Sequence, residues 1–248
     1  MGNILSVKNL SCGDIFKNLS FNIPEQTFNI LIGKNSVGKT TLIYSLLGLV
    51  KCEGEITFKY GRKSIGCVSD YSEITGSVFE YLSKPLINLG YSESRIDKTI
   101  YSISKKLGIT NILDKTNDEL TCEERLLVLL THSVIHNPKL VIIDNTLDEL
   151  HTSNKIKFIN YLRGMKITVI LVTNDSRYFK YSTRLLVMTK TKMEIIKDSN
   201  SITRLENSLV KNNSELPFSI ELSSKLYSYG IVKEIYSNNS ELVDNISK

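Results

Sequence analysis

The residues with the clearest chemistry are Gly33-Lys34-Asn35-Ser36-Val37-Gly38-Lys39-Thr40, which fit the pattern G-x-x-x-x-G-K-[ST]. Consecutive backbone N–H groups in such a loop turn inward and cradle anionic oxygens. A helix beginning at its end adds the positive pole of its dipole. Lys39 supplies a point charge for β- and γ-phosphates, and the Thr40 hydroxyl suits Mg²⁺. With Thr41 next in line, Gly33 to Thr41 is the candidate cofactor-binding set for a nucleoside triphosphate, ATP with Mg²⁺.

A loop of this kind needs a strand before it and a helix after it. Phe28-Asn29-Ile30-Leu31-Ile32 reads as a buried strand, and Lys39 to Leu47 as a helix. Upstream, Leu5, Val7 and Leu10, then Leu19, Phe21 and Ile23, alternate around Cys12-Gly13-Asp14, which reads as two antiparallel strands. Strands follow near Glu55–Phe58 and Ile65–Val68. Val78 to about Leu113 is helical, with Pro85 and Gly90 as punctuation, and Glu123 to Ile135 is an apolar helix stopped by Asn137-Pro138. Leu140–Ile143 and Ile167–Val172 read as buried parallel strands, joined by a helix over Ser153–Arg163 with Ser153 as candidate N-cap. The alternation implies an α/β fold: a mainly parallel sheet flanked by helices, an antiparallel β subdomain, and a helical subdomain over about 71–135. The main domain covers 1–200. From 201 to 248 the chain turns to Ser, Asn, Glu and Lys, which reads as a short helical tail.

A length of 248 residues, with 41% hydrophobic and 23% charged, suits one large domain that buries a core unaided. The net charge of +5 fits scattered surface lysines as well as it fits a membrane-proximal or nucleic-acid surface. Four widely spaced cysteines, Cys12, Cys52, Cys67 and Cys122, contain no C-x-x-C, which argues against a zinc site or disulfide framework and for a reducing cytoplasm. The N-terminus lacks a signal-peptide pattern, although Met1-Gly2 with Ser6 matches a myristoylation pattern. No apolar run approaches the roughly 18 residues that span a bilayer, so a membrane role runs through a partner.

The spacing of further motifs resembles the ATP-binding cassette (ABC) family over roughly Ile4 to Ile195. Leu120-Thr121-Cys122-Glu123-Glu124-Arg125 stands where that family has its LSGGQ signature. Asn137-Pro138-Lys139-Leu140-Val141-Ile142-Ile143-Asp144 resembles the Walker B lead, and Val172-Thr173-Asn174-Asp175 the switch-histidine segment, followed by Arg184 to Met188. The tail, Leu216 to Leu226, resembles energy-coupling factor transporter ATPases, importers of vitamins and metal ions that work as paired ATPases on a membrane scaffold. The resemblance implies a P-loop NTPase with Thr40 and Asp144 as Mg²⁺ ligands. It also implies a second ATPase subunit, a paralogue rather than an identical chain, and a transmembrane scaffold protein. The site would be cytoplasmic, peripheral on the inner face of the cell membrane, without nucleic acid.

Several positions depart from the pattern. The carboxylate after Walker B is Asn145, whose amide cannot accept a proton from water. The switch histidine is Asn174, and the Mg²⁺-sensing glutamine aligns with Asp70. The stretch Leu147-Asp148-Glu149-Leu150-His151 lacks the usual small residues and final aspartate. Cys122 and Glu123 replace the signature glycines, and Glu124 adds a second anion. No aromatic stands at the adenine-stacking position, where Cys12-Gly13 sits, and Phe16 reads as core. The implied activity is MgATP binding with weak or lost hydrolysis in a transporter subunit; the alternative is a non-catalytic pseudo-ATPase that regulates or stabilises a complex. His132 and His136, at i and i+4, lack the third ligand of a metal site. Leu126–Leu130 reads as core, and Tyr227, Tyr229 and Tyr236 as packing within the tail.

Overall fold

The apolar alternation near the N-terminus becomes strand β1 (Asn3–Cys12), which pairs antiparallel with β2 (Phe16–Pro24). The computed structural model describes residues 2–68, 73–197, 218–232, 236 and 239–246. They form two units, Met1–Lys59 with Ile170–Lys248, and Tyr60–Val169.

In the first unit, β1 is the middle strand of an antiparallel sheet ordered β2-β1-β4, with β4 at Glu53–Phe58. Leu5, Leu10, Leu19 and Ile23 are fully buried, and so is Phe16, as its sequence context implies. Strand β3 (Phe28–Ile32) is buried along its whole length, the pattern of a strand covered on both faces. It pairs in parallel with β8 (Arg184–Met188), which pairs antiparallel with β9 (Met193–Ile196). Helix α1 (Lys39–Leu47) follows β3 through the glycine-containing loop and buries Leu42, Ile43 and Leu46.

The β1–β4 register corrects the reading of the cysteines. Ser11 pairs with Glu53, so Cys12 and Cys52 are the next positions along the two chains. Their Cα atoms are 4.7 Å apart and their sulfurs are joined in a disulfide, within the usual Cα range for such a bond. A separation of 40 residues hides this pair from any reading of local spacing.

In the second unit, β5 (Ile65–Val68) pairs in parallel with β6 (Leu140–Asp144). Gly66 has no room for a side chain, because a Cβ there would run into the Ser133 carbonyl oxygen of α4 (Cys122–Val134). Helix α2 (Val78–Asn88) starts from a capping box, in which Ser77 Oγ accepts from Glu80 N at 3.2 Å and Glu80 Oε2 from Ser77 N at 2.9 Å. It runs through Pro85 instead of stopping there, since buried Val78, Leu82 and Leu86 anchor both sides of the proline. Helix α3 (Glu93–Leu107) turns Ile96, Ile100, Ile103 and Leu107 to one buried face. In α4, Leu126 to Leu130 are buried core.

Helix α5 (Thr152–Gly164) begins one residue before Ser153, so Ser153 is not its cap. His151 takes the cap position without a side-chain bond, and its N–H donates to Glu123 Oε1 at 2.9 Å. A carboxylate from α4 thus holds the cap residue and the Asn154 side chain, while no side chain caps a first-turn N–H. Strand β7 (Thr168–Val172) then leaves this unit and enters the first.

Two short helices, α6 (Phe218–Ser228) and α7 (Asn239–Ile246), contact each other, and Ile220, Ser223 and Leu242 on them are buried. Tyr227 and Tyr229 do not pack as expected: they lie at and beyond the last turn of α6 and are exposed.

His132 stacks on Tyr81 with ring centroids 4.4 Å apart. Burial, then the nearby His136 and Lys84, lower its pKa to about 4. Protonation is therefore disfavoured by folding, and the stabilisation present above about pH 6.5 is lost as pH falls through about 4. Thermal unfolding between pH 7 and 4 should show up to about 3 kcal/mol of destabilisation from this group. The corresponding His132→Phe profile should be flatter over that range.

Candidate nucleotide-binding site

The phosphate loop forms where buried β3 must turn directly into α1. Ser36 has φ 64° and Gly38 φ 98°, two left-handed residues that reverse the chain within the loop. Left-handed residues alternating with ordinary ones aim successive N–H groups to one side, the geometry of an anion nest. At Gly38 a Cβ would also lie 2.5 Å from Ile15 Cγ2 and 3.1 Å from Phe16 Cδ1, so the β1–β2 turn packs directly on the loop. Lys39 Nζ donates to the carbonyls of Gly33 at 2.7 Å and Lys34 at 3.2 Å, which holds its ammonium across the loop.

Helix α1 starts without a side-chain cap and carries no acidic residue in its first turn. Its first N–H groups lack intrahelical acceptors, and no carboxylate of the helix offsets the positive pole. Lys34, Asn35, Ser36 and Thr40 are exposed, whereas Val37 is buried and pins the loop from beneath. These residues fit a triphosphate: N–H donors, an ammonium and a hydroxyl, with no competing anion in the helix's first turn. Asn174, just after β7, reaches the same loop, its Oδ1 accepting from Gly33 N at 3.4 Å. Its neighbour Asp175 is engaged elsewhere, accepting from Arg177 N and Nε.

The second unit carries the other sequence-predicted residues. Asp144 ends β6 and is partly buried; Asn145 follows in a left-handed conformation, φ 56°, with its side chain exposed. Asn145 Nδ2 donates to Asp144 Oδ1 at 3.2 Å. A carboxylate at position 145 would repel Asp144 there, and the amide instead bonds to it. The two residues expected to ligate Mg²⁺, Thr40 and Asp144, belong to different units; a hydroxyl and a carboxylate are each the kind of oxygen donor that suits such a hard cation. Asp70 lies outside the described residues, as do Leu216 and Pro217 of the tail motif.

The signature segment differs from its sequence expectation in one respect. Glu123 and Glu124 are both bound to their own chain. Thr121 caps α4 by accepting from Glu124 N at 3.2 Å, while Glu124 Oε2 accepts from Thr121 N at 2.9 Å. Lys115 Nζ lies 3.1 Å from Glu124 Oε1. The Thr121 N–H and then the Lys115 ammonium hold the Glu124 carboxyl below the usual carboxylate range. Glu123 accepts from Asn154 Nδ2 and His151 N, both at 2.9 Å, and these bonds lower its pKa in the same way. The start of α4 is thus filled by its own carboxylates, whereas the start of α1 has none. The spacing Thr121-x-x-Glu124 is a capping-box signal present in the sequence; comparison with a glycine-rich motif obscured it.

The family model described as ABC transporter matches residues 16–148, more than half of the chain. The chain belongs to the ABC transporter family. Among relatives of this ABC chain, the energy-coupling factor transporter ATP-binding protein EcfA1 of Ureaplasma parvum serovar 3 is 25% identical over 252 residues, covering 94% of this chain and 86% of that protein. The EcfA2 protein of Caldanaerobacter subterraneus subsp. tengcongensis is 25% identical, covering 87% and 83%. In fold, the chain is similar to cbiO1 of Clostridium perfringens, part of the ABC transporter complex cbiONQ, with TM-score 0.70, 24% identity, and coverage of 86% of this chain and 95% of that one. A further ATP-binding subunit of an ABC transporter aligns with TM-score 0.74 at 17% identity, covering 82% and 93%. The expected ABC-type α/β fold is therefore present. Among the described residues, no helix is long and apolar enough to cross a membrane.

The capping box makes a separable prediction. Thr121→Ala should destabilise the protein by about 1 kcal/mol, whereas Lys115→Ala, at a partly exposed ion pair, should cost well under about 1 kcal/mol. Urea unfolding midpoints of the two variants against wild type measure both.

Proposed function

We propose that the chain is the ATP-binding subunit of an ABC transporter of the energy-coupling factor type, an importer of vitamins or metal ions. It binds MgATP at Gly33 to Thr41 and hydrolyses it slowly or not at all in its own site. The observation that carries this reading is the phosphate loop, with Lys39 held across it and an α1 start free of acidic residues. Bound there, the triphosphate would lie against the loop N–H groups, with Lys39 neutralising charge on its outer phosphates. Thr40 and Asp144 would hold Mg²⁺, which would supply positive charge against the developing phosphate charge.

Slow turnover follows from what stands at position 145. A general base contributes roughly 10²–10⁴-fold to such a reaction. The Asn145 amide can orient a water molecule but cannot take its proton, and one of its N–H groups already donates to Asp144. Asn174 sits at Gly33 as a neutral hydrogen-bonding residue without the charge of a histidinium. Asp70 is the remaining carboxylate proposed near this chemistry.

The energy-coupling factor relatives support a partner ATPase, best a paralogue with its own intact site, and a transmembrane scaffold protein. Docked in that way, the chain would work on the cytoplasmic face of the membrane and touch the bilayer only through partners. Its main domain would be 1–200 and its tail 201–248. A second reading, a non-catalytic pseudo-ATPase that stabilises the assembly, is favoured by the self-capped start of α4. That helix start has its own carboxylates where the family presents glycines to a partner's nucleotide.

The decisive experiment measures MgATP binding and hydrolysis for the chain alone and with its partner subunits, for wild type, Lys39→Ala and Asn145→Glu. Lys39→Ala should weaken MgATP binding about tenfold or more, with wild-type turnover at or near background. Robust turnover of the complex that Lys39→Ala abolishes would overturn the slow-site reading. A gain of turnover in Asn145→Glu would identify the missing base as the limiting defect; no gain would favour the pseudo-ATPase.

A further inference from the structure

Cys12 and Cys52 form a pair whose place matters more than its presence. Cys12 ends β1, and the turn from it to Phe16 is closed by the Ile15 N–H donating to the Cys12 carbonyl at 3.0 Å. That turn puts Ile15 and Phe16 against Gly38. Cys52 stands between the end of α1 at Leu47 and the start of β4 at Glu53. The 40-residue span between the two sulfurs therefore contains β2, β3, the entire phosphate loop and α1. One covalent bond fixes the turn that packs on the loop to the segment that follows the loop's helix.

We propose that Cys12–Cys52 is a reversible thiol–disulfide switch that sets the affinity of the phosphate loop for MgATP. The proposal rests on the nucleotide-binding reading of that loop.

Access to the pair is asymmetric. Cys12 is only 7% exposed, whereas Cys52 lines an open cavity of ≈ 450 Å³ together with Asp14, Lys17, Lys51 and Glu53. Lys17 is paired with Asp14 at 3.2 Å, and Lys51 and Glu53 balance one another in charge, so the cavity is polar with both signs present and admits a small polar molecule to Cys52. The co-reactant is a low-molecular-weight disulfide small enough to enter that cavity. The Cys52 thiolate attacks one sulfur of that disulfide, forming a mixed disulfide and releasing one small thiolate. The Cys12 thiolate then attacks the Cys52 sulfur, which closes the Cys12–Cys52 bond and expels the second small thiolate. Two protein thiols are oxidised, two protons are lost, and one small disulfide is reduced to two thiols. Excess small thiol runs the same steps backwards.

The other two cysteines are poor candidates for this exchange. Cys67 lies on β5 and burial, then the neighbouring Asp144 charge, push its thiol up to about 11. Cys122 is exposed at the start of α4, in the other unit from this pair.

Closing the bond restricts the turn and the loop before nucleotide arrives, so less order is lost on binding. The oxidised chain should bind MgATP about 3- to 10-fold more tightly than the reduced chain. It should also melt about 10 °C higher, from the closed loop.

The test equilibrates the full-length chain in buffers of oxidised and reduced glutathione, traps free thiols by alkylation, and maps linked peptides by mass spectrometry. MgATP affinity and melting temperature are measured on the same samples. A Cys12–Cys52 peptide that comes and goes with the buffer, together with the affinity change, supports the switch. The response should persist in Cys67→Ser/Cys122→Ser and vanish in Cys52→Ser. Absence of the linked peptide, a bond that the thiol buffer cannot open, or equal affinity in both states overturns it. If neither form binds MgATP and Lys39→Ala changes nothing, the nucleotide-binding reading itself fails, and with it the control of affinity.

Discussion

Everything in the candidate site depends on how α1 begins. A five-residue strand, buried along its whole length, must pass into a helix whose first N–H groups have no partners inside the helix. Most helices close that end with a side chain; this one starts on Gly38 in a left-handed conformation and has no acid in its first turn. The unneutralised dipole, the nest of loop N–H groups and Lys39 all favour an anion at one place. Val37 beneath the loop, and the β1–β2 turn against Gly38, hold the backbone in this costly shape.

Helix α4 solves the same end problem in the opposite way. Thr121 and Glu124 exchange hydrogen bonds, Lys115 neutralises Glu124, and Glu123 is spent on the start of α5. The two carboxylates that look like intrusions in a phosphate-facing motif are structural: Glu124 closes the start of α4, and Glu123 binds at the start of α5. Removing them would therefore unsettle local structure as well as charge. Asn145 follows a similar logic, since its amide bonds to the aspartate beside it, where a carboxylate would meet like charge.

The disulfide shows how a sheet register creates chemistry. Ser11 opposite Glu53 forces Cys12 beside Cys52, and the bond then encloses the strand, loop and helix that form the phosphate cradle. A small shift in the β1–β4 pairing would separate the sulfurs and leave the cradle tied only by packing.

The sequence by itself determined the phosphate loop, its flanking strand and helix, the α/β alternation and the substitutions at positions 145 and 174, because each is a local pattern of residue types. It also determined most element boundaries within a residue or two, through the apolar periodicity of segments such as β3, α1 and α4. It placed the cap of α5 two residues late, at Ser153 instead of His151, whose N–H is held by a carboxylate from another helix. Its punctuation at Pro85 did not reveal that α2 runs through the proline between buried anchors. Tertiary structure alone decided where Glu123 turns, that Asn174 touches Gly33, and that Cys12 meets Cys52. Those outcomes depend on which distant segments are brought within hydrogen-bond or bonding distance, and residue spacing along the chain does not carry that information.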